Sequence, residues 1–301
     1  MKKVNYLPSL FCFIFLIFSC NKTGTHSNLV EDAPYSNPIW HPTGQLLAFN
    51  LTPRKAQDSA GFWLINRDGT SMKRTTTFQL LTPCRSPDGN WVAFANGGNI
   101  YKMAFDGNSF DTSHIITLVK NGAHNYNPCR APAGDTFYYD SDKNAPIGGG
   151  LYAVWKMTSN GNLQQIVTRD IMKGGREPYP INSTQILFTS FIGGSNQVFI
   201  MDNTGGNIRQ LTFESINSTV QTPRYFNNKL YYESNGIYSI NMDGTAKQIL
   251  CSYSNLKFSL NKIDGTIAYV NYDYNEIDRT TGTIWLMDVT GNNKRSFTFN
   301  N

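Results

Sequence analysis

The chain has 301 residues, 40% of them hydrophobic and 13% aromatic, so it is long enough to bury one sizeable core. Its formal net charge is +5 without any run of basic residues, which argues against a nucleic-acid-binding patch or tail. The 25 glycines and 13 prolines are spread along the chain, a pattern typical of many turns rather than of a linker.

The N-terminus has the pattern of a secretory signal. Lys2 and Lys3 precede an apolar run, Leu10 to Phe18, that is too short to span a bilayer. The run ends in Ile17-Phe18-Ser19-Cys20, which resembles the bacterial lipobox, whose cysteine is lipidated after cleavage. An ordinary secretory signal followed by a chance cysteine is the alternative.

The lipobox resemblance divides the N-terminal region in two. Residues 1–19 are interpreted as a lipoprotein signal peptide, Cys20 as the lipidation site, and residues 20–36 as a flexible polar tether. Removal of Lys2 and Lys3 with the signal lowers the net charge from +5 to +3. The resemblance implies a lipid-anchored location in the bacterial cell envelope, on the periplasmic or surface face of the outer membrane.

A repeat organises the rest of the chain. A proline precedes the first strand of five successive units, at intervals of 45, 45, 50 and 45 residues. A sixth unit lacks the proline and begins near Lys257 or Phe258. The five prolines are Pro38, Pro83, Pro128, Pro178 and Pro223.

The second unit, Pro83 to Gly107, shows the pattern most clearly. It has a strand, a Pro-Asp-Gly turn, an apolar strand, an aromatic strand and an Asp-Gly turn. Asp-Gly between apolar runs indicates a hairpin, because Gly accepts the positive φ of a tight turn. Each unit predicts four short strands, and a repeat of about 40–45 residues with four strands is one propeller blade. We therefore predict an all-β, six-bladed β-propeller of four-stranded antiparallel blades over residues 37–301.

The units resemble the propeller repeats of the TolB-like family. Pro83 to Phe94 matches that pattern best, and Ile200-Met201-Asp202, Arg209 to Thr212 and Ile240 to Gly244 match later parts of it. Thr43 and Ala133 depart from the pattern, which has Asp at both positions. The resemblance implies the propeller fold over nearly the whole mature chain, whereas propellers of this type serve many functions.

The variation among the loops indicates which face of the propeller is expected to bind a partner. The turns between first and second strands, and between third and fourth strands, are short and alike, whereas the remaining loops vary in length and lie on the opposite face. Binding residues concentrate on such loops. We therefore expect partner contacts on this loop face, around the channel mouth, with solubility alone as the alternative. The candidates are His124, Tyr126, Arg176, Glu177, Tyr272 and Tyr274.

Two Pro-Cys-Arg motifs mark the inner strands. Arg85 and Arg130 are expected to line the channel, where they attract an anion or pair with nearby carboxylates. Cys84 and Cys129 occupy matching positions and either approach each other or serve as small buried apolar side chains. The odd count of mature-chain cysteines outside the tether gives no disulfide framework, and no Cys/His spacing indicates zinc.

Catalytic motifs are missing from the sequence, so we assign no catalytic residue, no metal ligand and no cofactor. The leading hypothesis is a monomeric envelope propeller that binds a protein or glycan partner, touches the membrane only through its lipid anchor, and binds no nucleic acid. The alternative is a carbohydrate-active lyase or hydrolase at the channel mouth, since a resembling propeller-lyase family uses a His-held metal. A purely structural envelope protein is the third option. Three His or carboxylate groups within metal-bonding distance in the channel would favour the enzyme. Their absence, together with an exposed aromatic patch on the loop face, would favour binding.

Overall fold

The computed structural model describes residues 35–52, 57–133, 135–144, 151–168, 174–252, 257–272 and 282–297. The predicted signal peptide, Cys20, most of the predicted tether and Tyr274 lie outside these ranges. The described residues form six four-stranded antiparallel sheets, each contiguous in sequence, and one 3-10 turn at Gln57–Ser59. The first strand begins at Tyr35, within the segment assigned to the tether.

Each sheet is one blade, and its strands follow one another in chain order from the axis outward. Blade 1 contains β1 Tyr35–Trp40, β2 Leu46–Leu51, β3 Gly61–Asn66 and β4 Lys73–Thr76. Blade 2 contains β5 Leu81–Arg85, β6 Trp91–Asn96, β7 Asn99–Ala104 and β8 Ile116–Val119. Blade 3 contains β9 Asn125–Arg130, β10 Thr136–Ser141, β11 Ala153–Thr158 and β12 Gln165–Ile166.

The last three blades follow the same plan. Blade 4 contains β13 Arg176–Pro180, β14 Gln185–Ile192, β15 Ser195–Asp202 and β16 Arg209–Gln210. Blade 5 contains β17 Gln221–Phe226, β18 Lys229–Glu233, β19 Ile237–Asn241 and β20 Gln248–Cys251. Blade 6 contains β21 Ser259–Leu260, β22 Ile267–Tyr272, β23 Gly282–Met287 and β24 Arg295–Ser296. The predicted six-bladed propeller is thereby confirmed.

The core lies between blades rather than within them. Among the described residues, the buried side chains fall into six apolar clusters, and each cluster joins two neighbouring blades. One of them packs Tyr35 and Phe49 of blade 1 against Val270 and Ile284 of blade 6, so the ring is closed. Closure buries both apolar faces of every sheet, which no blade could do alone.

Side-chain contacts, rather than a shared strand, join the first and last blades. The Trp40 N–H donates to Ser259 Oγ at 3.1 Å. Arg67 forms an ion pair with Asp264 at 2.6 Å and donates to Thr266 Oγ1 at 3.0 Å. Because each sheet is built from consecutive strands, these contacts and the apolar cluster hold the closure.

A bulge recurs in the innermost strand of blades 1 to 5. In each, the residue before the repeat proline has a positive φ, between 45° and 56°, and the pairing register shifts there. The innermost strand is the free edge of its sheet, and proline offers no N–H for pairing. The bulges therefore shape the strand edges that face the propeller axis.

Third-to-fourth-strand turns bring the blades into close contact. In blade 4, Gly205 adopts φ +87° in the turn after β15, and a Cβ atom there would lie 2.1 Å from the Val167 carbonyl oxygen of blade 3. Gly107, in the corresponding turn of blade 2, also has a positive φ, +93°, but a Cβ atom there would meet nothing within 4 Å. Gly107 therefore has the backbone strain alone, whereas Gly205 has both the strain and the close contact with the neighbouring blade.

We expect Gly205→Ala to destabilise the propeller more than Gly107→Ala. Both substitutions introduce left-handed strain of about 1 kcal/mol, but only Gly205→Ala also forces the backbones of blades 3 and 4 apart. The expected extra loss in Tm is on the order of 5 °C, measured by thermal unfolding under identical conditions. Equal Tm losses would show that this turn does not set the blade contact.

Candidate functional site

A cavity of about 360 Å³ lies on the propeller axis. Residues from the innermost strands of all six blades line it, together with the turns that follow several of those strands. A cavity of this size on the axis of a propeller is the default location for a binding site. Its two ends differ in chemistry.

At the loop-face end, one residue from each blade forms a polar ring. Five of the ring residues are the ones that precede the repeat prolines. Side-chain acceptors from one blade bind the backbone N–H of the next: Asn127 N donates to Thr82 Oγ1 at 3.0 Å, and Thr222 N donates to Glu177 Oε2 at 2.6 Å. The ring consists of Asn37, Thr82, Asn127, Glu177, Thr222 and Lys257.

Lys257 spans the axis within this ring. Its Nζ donates to Asn127 Oδ1 of blade 3, on the opposite side of the propeller, at 3.0 Å, and lies 3.7 Å from Glu177 Oε1. Burial lowers the pKa of Lys257, whereas the Glu177 carboxylate opposes that shift. The lysine therefore ties blades 3, 4 and 6 together across the channel.

Two buried carboxyl groups lie behind the ring. Asp140 Oδ2 accepts from Asn127 Nδ2 at 2.7 Å and from Glu177 N at 2.8 Å, and burial raises the pKa of Asp140. Burial also raises the pKa of Glu233 to about 7, against a hydrogen bond from Gln221 that lowers it. A substantial fraction of Glu233 is therefore protonated at neutral pH.

The other end of the cavity is basic. Lys262, which follows β21, is the solvent-exposed member of this group. The cations of Arg224 and Lys262 lie 5.2 and 5.3 Å from the centre of the Tyr179 ring. Across the whole described lining there are five permanent cations and one carboxylate, Glu177. The five cations are Arg85, Arg130, Arg224, Lys257 and Lys262.

The two arginines predicted from the Pro-Cys-Arg motifs both line the cavity, but their surroundings differ. The guanidinium of Arg130 lies 5.2 Å from the Trp91 ring. A hydrogen bond with the Ser86 side chain lowers the pKa of Asp88, and the charge of Arg130 makes a smaller contribution in the same direction. Arg85 is 7% exposed and lies 4.3 Å from the ring of Phe105. Arg130 thus has a carboxylate in its surroundings, which is what the alternative of pairing with nearby carboxylates requires.

Arg85 has different surroundings. Among the described residues, none of its three guanidinium nitrogens has a hydrogen-bond partner. A second ring, Phe110, lies 4.8 Å away, and burial lowers the pKa of Arg85 to about 9. Aromatic faces compensate only part of the cost of burying a guanidinium. His41 stands nearby, with its own pKa lowered by burial and by the Arg85 charge.

The two cysteines approach each other in the middle of the cavity wall. Cys84 and Cys129 are both half-buried and unoxidised, and their thiols are close enough to influence each other's pKa. Of the two alternatives that the sequence left open, the structure therefore shows the approach.

Three of the loop-face candidates lie on one surface of blades 3 and 4. His124 Nδ1 is 2.8 Å from Asp142 Oδ2, and the rings of Tyr126 and Tyr152 are 6.1 Å apart. The Arg176 guanidinium lies 4.2 Å from the centre of the Tyr152 ring.

Of the other three loop-face candidates, Glu177 and Tyr272 lie elsewhere in the propeller. Glu177 belongs to innermost strand β13 and lines the cavity. Tyr272 ends β22 of blade 6, and Tyr274 lies outside the described residues. The sequence analysis did not find Arg224, Lys257 and Lys262, although the position before each repeat proline would have indicated most of the polar ring.

An exposed apolar patch is present on the loop face of blade 4. Phe191 and Ile192 end β14, and Phe213 and Ile216 lie on the connection to blade 5, with exposed fractions between 45% and 79%. Asn217 N donates to Gly194 O at 3.1 Å, which joins the connection to the β14–β15 turn. Two of the four side chains, Phe191 and Phe213, are aromatic, so the patch matches the exposed aromatic patch expected for a binding face only in part.

A metal-binding arrangement is not found in the part of the chain that the structure describes: no group of three His, Cys, Asp or Glu residues could hold an ion. His41, His114 and His124 lie apart, the first beside Arg85, the second bonded to Asp111 and the third bonded to Asp142. These residues do not fit the His-held metal of the alternative hypothesis. Across the same described ranges, no helix is long and apolar enough to cross a membrane.

Comparison with known proteins places the fold. No protein-family model and no curated protein sequence matches the chain. A candidate TolB from Agrobacterium tumefaciens superposes with a TM-score of 0.59 at 14% identity, covering 88% of this chain and 89% of that one. The chain has the TolB-like six-bladed propeller fold. The resemblance stated from the sequence motifs is confirmed at the level of fold.

Enzymes share this fold too. An oligogalacturonate lyase from Vibrio parahaemolyticus has a TM-score of 0.57 at 10% identity, covering 90% of this chain and 78% of that one. A prolyl endopeptidase has a TM-score of 0.52 at 13% identity, covering 89% of this chain but only 43% of that one. Identities this low show common architecture, so the choice between binding and catalysis depends on the cavity itself.

The buried Glu233 predicts a pH-dependent stability. Its folded-state pKa of about 7 exceeds the ordinary 4.5, so the folded chain holds a proton that the unfolded chain releases between these values. This contribution to stability is present below the ordinary pKa and is lost as the pH rises through about 7. We expect Glu233→Gln to raise Tm at pH 8 and to change it little at pH 4.5. Parallel Tm-versus-pH curves for the two proteins would contradict this assignment.

Proposed function

We propose that this protein is a non-catalytic binding module of the bacterial cell envelope, and that its axial cavity holds a carboxylate-bearing segment of an envelope protein or glycan. The observation that carries the proposal is the charge of the cavity, whose described lining has five cations and one carboxylate. A concave site with this excess attracts anions and concentrates them at its mouth.

Arg85 favours a carboxylate ligand over a neutral one. A buried guanidinium without a hydrogen-bond acceptor is costly, and a carboxylate supplies two acceptor oxygens in the geometry that guanidinium prefers. Arg224 and Lys262 add charge at the more exposed end, where an arriving anion meets them first. The cavity volume of about 360 Å³ suits a few residues or a short sugar segment, not a folded domain.

The experiment is a binding titration with defined anionic probes. A labelled oligo-glutamate peptide and a labelled uronic-acid oligosaccharide are each titrated with the protein, and fluorescence anisotropy reports binding. An oligo-glutamine peptide and a neutral oligosaccharide serve as the uncharged comparators. We expect Arg224→Gln with Lys262→Gln to weaken binding of the preferred anionic probe by about tenfold for each charge removed.

A matched variant controls for net charge. Lys294→Gln with Arg295→Gln removes the same two positive charges from the exposed outer end of blade 6 and is expected to leave binding unchanged. Equal losses in both double variants, or no binding of either anionic probe, would overturn the proposal. Preference for the peptide assigns a protein partner, and preference for the oligosaccharide assigns a glycan.

The same titration also tests whether the loop face, instead of the cavity, binds the anionic probe. There, contact through His124, Tyr126 and Arg176 is supported by their shared surface and by the neighbouring apolar patch of blade 4. Replacement of these three residues by Ala is expected to leave binding of the anionic probe intact. Loss of probe binding in this triple variant, with the cavity variant unaffected, would move the site to the loop face.

The enzyme hypothesis is tested in the same samples. Because oligogalacturonate lyases share the fold, the uronic-acid oligosaccharide is also examined for chain cleavage after prolonged incubation. We expect it to be recovered intact. Cleavage that disappears in the Arg224→Gln and Lys262→Gln variant would replace the binding proposal with a carbohydrate-active enzyme.

We further propose that lipid on Cys20 holds the propeller at the envelope, as the lipobox resemblance implies. The expected result is that the wild-type chain sediments with bacterial membranes, whereas Cys20→Ser appears in the soluble envelope fraction. Cys251→Ser, at a buried position in the propeller, serves as the control and is expected to stay with the membranes. Membrane retention of Cys20→Ser would contradict lipid anchoring.

A further inference from the structure

Cys84 and Cys129 form a thiol pair with features that a structural role does not require. They occupy equivalent positions of innermost strands β5 and β9, one residue after the repeat proline. Both side chains line the axial cavity, both are half-buried, and the two thiols interact with each other across the adjacent innermost strands β5 and β9. Cys251, in contrast, is buried in the cluster between blades 5 and 6.

The surroundings make the two thiols unequal. The hydrogen bond from Cys129, with help from the Arg130 N–H and the charges of Lys262 and Arg224, lowers the pKa of Cys84 to about 7. The same contact, together with burial, raises the pKa of Cys129. The thiolate is the nucleophilic form of cysteine, so these opposite pKa shifts favour Cys84 over Cys129 as the attacking thiol.

We propose that Cys84 and Cys129 are a reactive dithiol that undergoes thiol–disulfide exchange with a small anionic disulfide entering the axial cavity, with Cys84 attacking and Cys129 resolving. The cations of Arg224 and Lys262 favour an anionic reagent, and the half-buried position excludes large ones. Two cysteines in contact on one cavity wall are suitably placed for both steps.

The exchange consists of two successive displacement reactions. The Cys84 thiolate attacks one sulfur of the reagent disulfide, a mixed disulfide forms, and one reagent thiolate leaves. Cys129 then releases its proton to solvent and attacks the Cys84 sulfur, which forms the 84–129 disulfide and expels the second reagent thiolate. The protein pair thus loses two electrons and the reagent disulfide gains them. This chemistry needs no bound partner, so it can fail or succeed independently of the proposed binding function.

The test uses the reduced full-length chain with Cys12→Ser and Cys20→Ser, which removes the two other cysteines outside the propeller, and 5,5′-dithiobis(2-nitrobenzoate), an anionic disulfide whose released thiolate is coloured. We expect the cysteine pair to displace two thiolates from the reagent per protein chain. Peptide mass mapping is then expected to find an 84–129 disulfide. With Cys129→Ser, we expect one thiolate and a stable mixed disulfide on Cys84. With Cys84→Ser, we expect Cys129 to react at least about ten times more slowly than Cys84 does in the wild-type chain.

Charge variants test whether the cations of the cavity, and not only the solvent exposure of Cys84, determine its reactivity. Arg224→Gln with Lys262→Gln is expected to slow the anionic reagent more than neutral 2,2′-dithiodipyridine, whereas Lys294→Gln with Arg295→Gln is expected to slow neither selectively. Cys251→Ser is expected to preserve the kinetics of the pair. A persistent mixed disulfide in the wild-type chain, or reaction of Cys84 no faster than Cys251, would overturn the proposal.

Discussion

Burial of apolar surface between blades is the interaction on which the rest of this structure depends. Every sheet has two apolar faces, and each face is covered only by a neighbouring sheet. A blade missing from the ring would expose two such faces, so the six units are stable together rather than singly. The contact of Tyr35 and Phe49 with Val270 and Ile284 therefore completes a cooperative unit, although none of the described strands is shared between the first and last blades.

Closing the ring creates a second constraint at the axis, where six free strand edges face one another. Proline and a positive-φ residue at equivalent positions disrupt pairing along five of these edges. The backbone N–H groups are instead bound by side chains, as Thr82 binds Asn127 and Glu177 binds Thr222. The result is a cavity with a polar ring at one end and cations at the other, although the blades around it are held together by apolar packing.

The sequence predicted the repeat well because proline, turn and strand signals are local and occur several times. It also indicated that Arg85 and Arg130 face the axis, since both follow the same motif. It could not predict the contact of Lys257 with Asn127, because these residues lie 130 positions apart and the sixth unit lacks the proline that marks the others. Glu177 was assigned to a loop because the start of β13 has no local signal, and the aromatic surroundings of Arg85 come from Phe105 and Phe110 on an irregular turn.

The energetic balance of the cavity is itself an argument for a ligand. Like charges in a confined site repel one another, and a buried guanidinium without an acceptor lowers the stability of the fold. The apolar contacts between blades are extensive enough to tolerate this cost, but they give no reason for it. Folds retain such destabilising groups mainly where binding or chemistry uses them. This cost supports the proposal that the positive charge and the adjacent thiols serve the interaction of the cavity with a ligand, rather than the stability of the empty propeller.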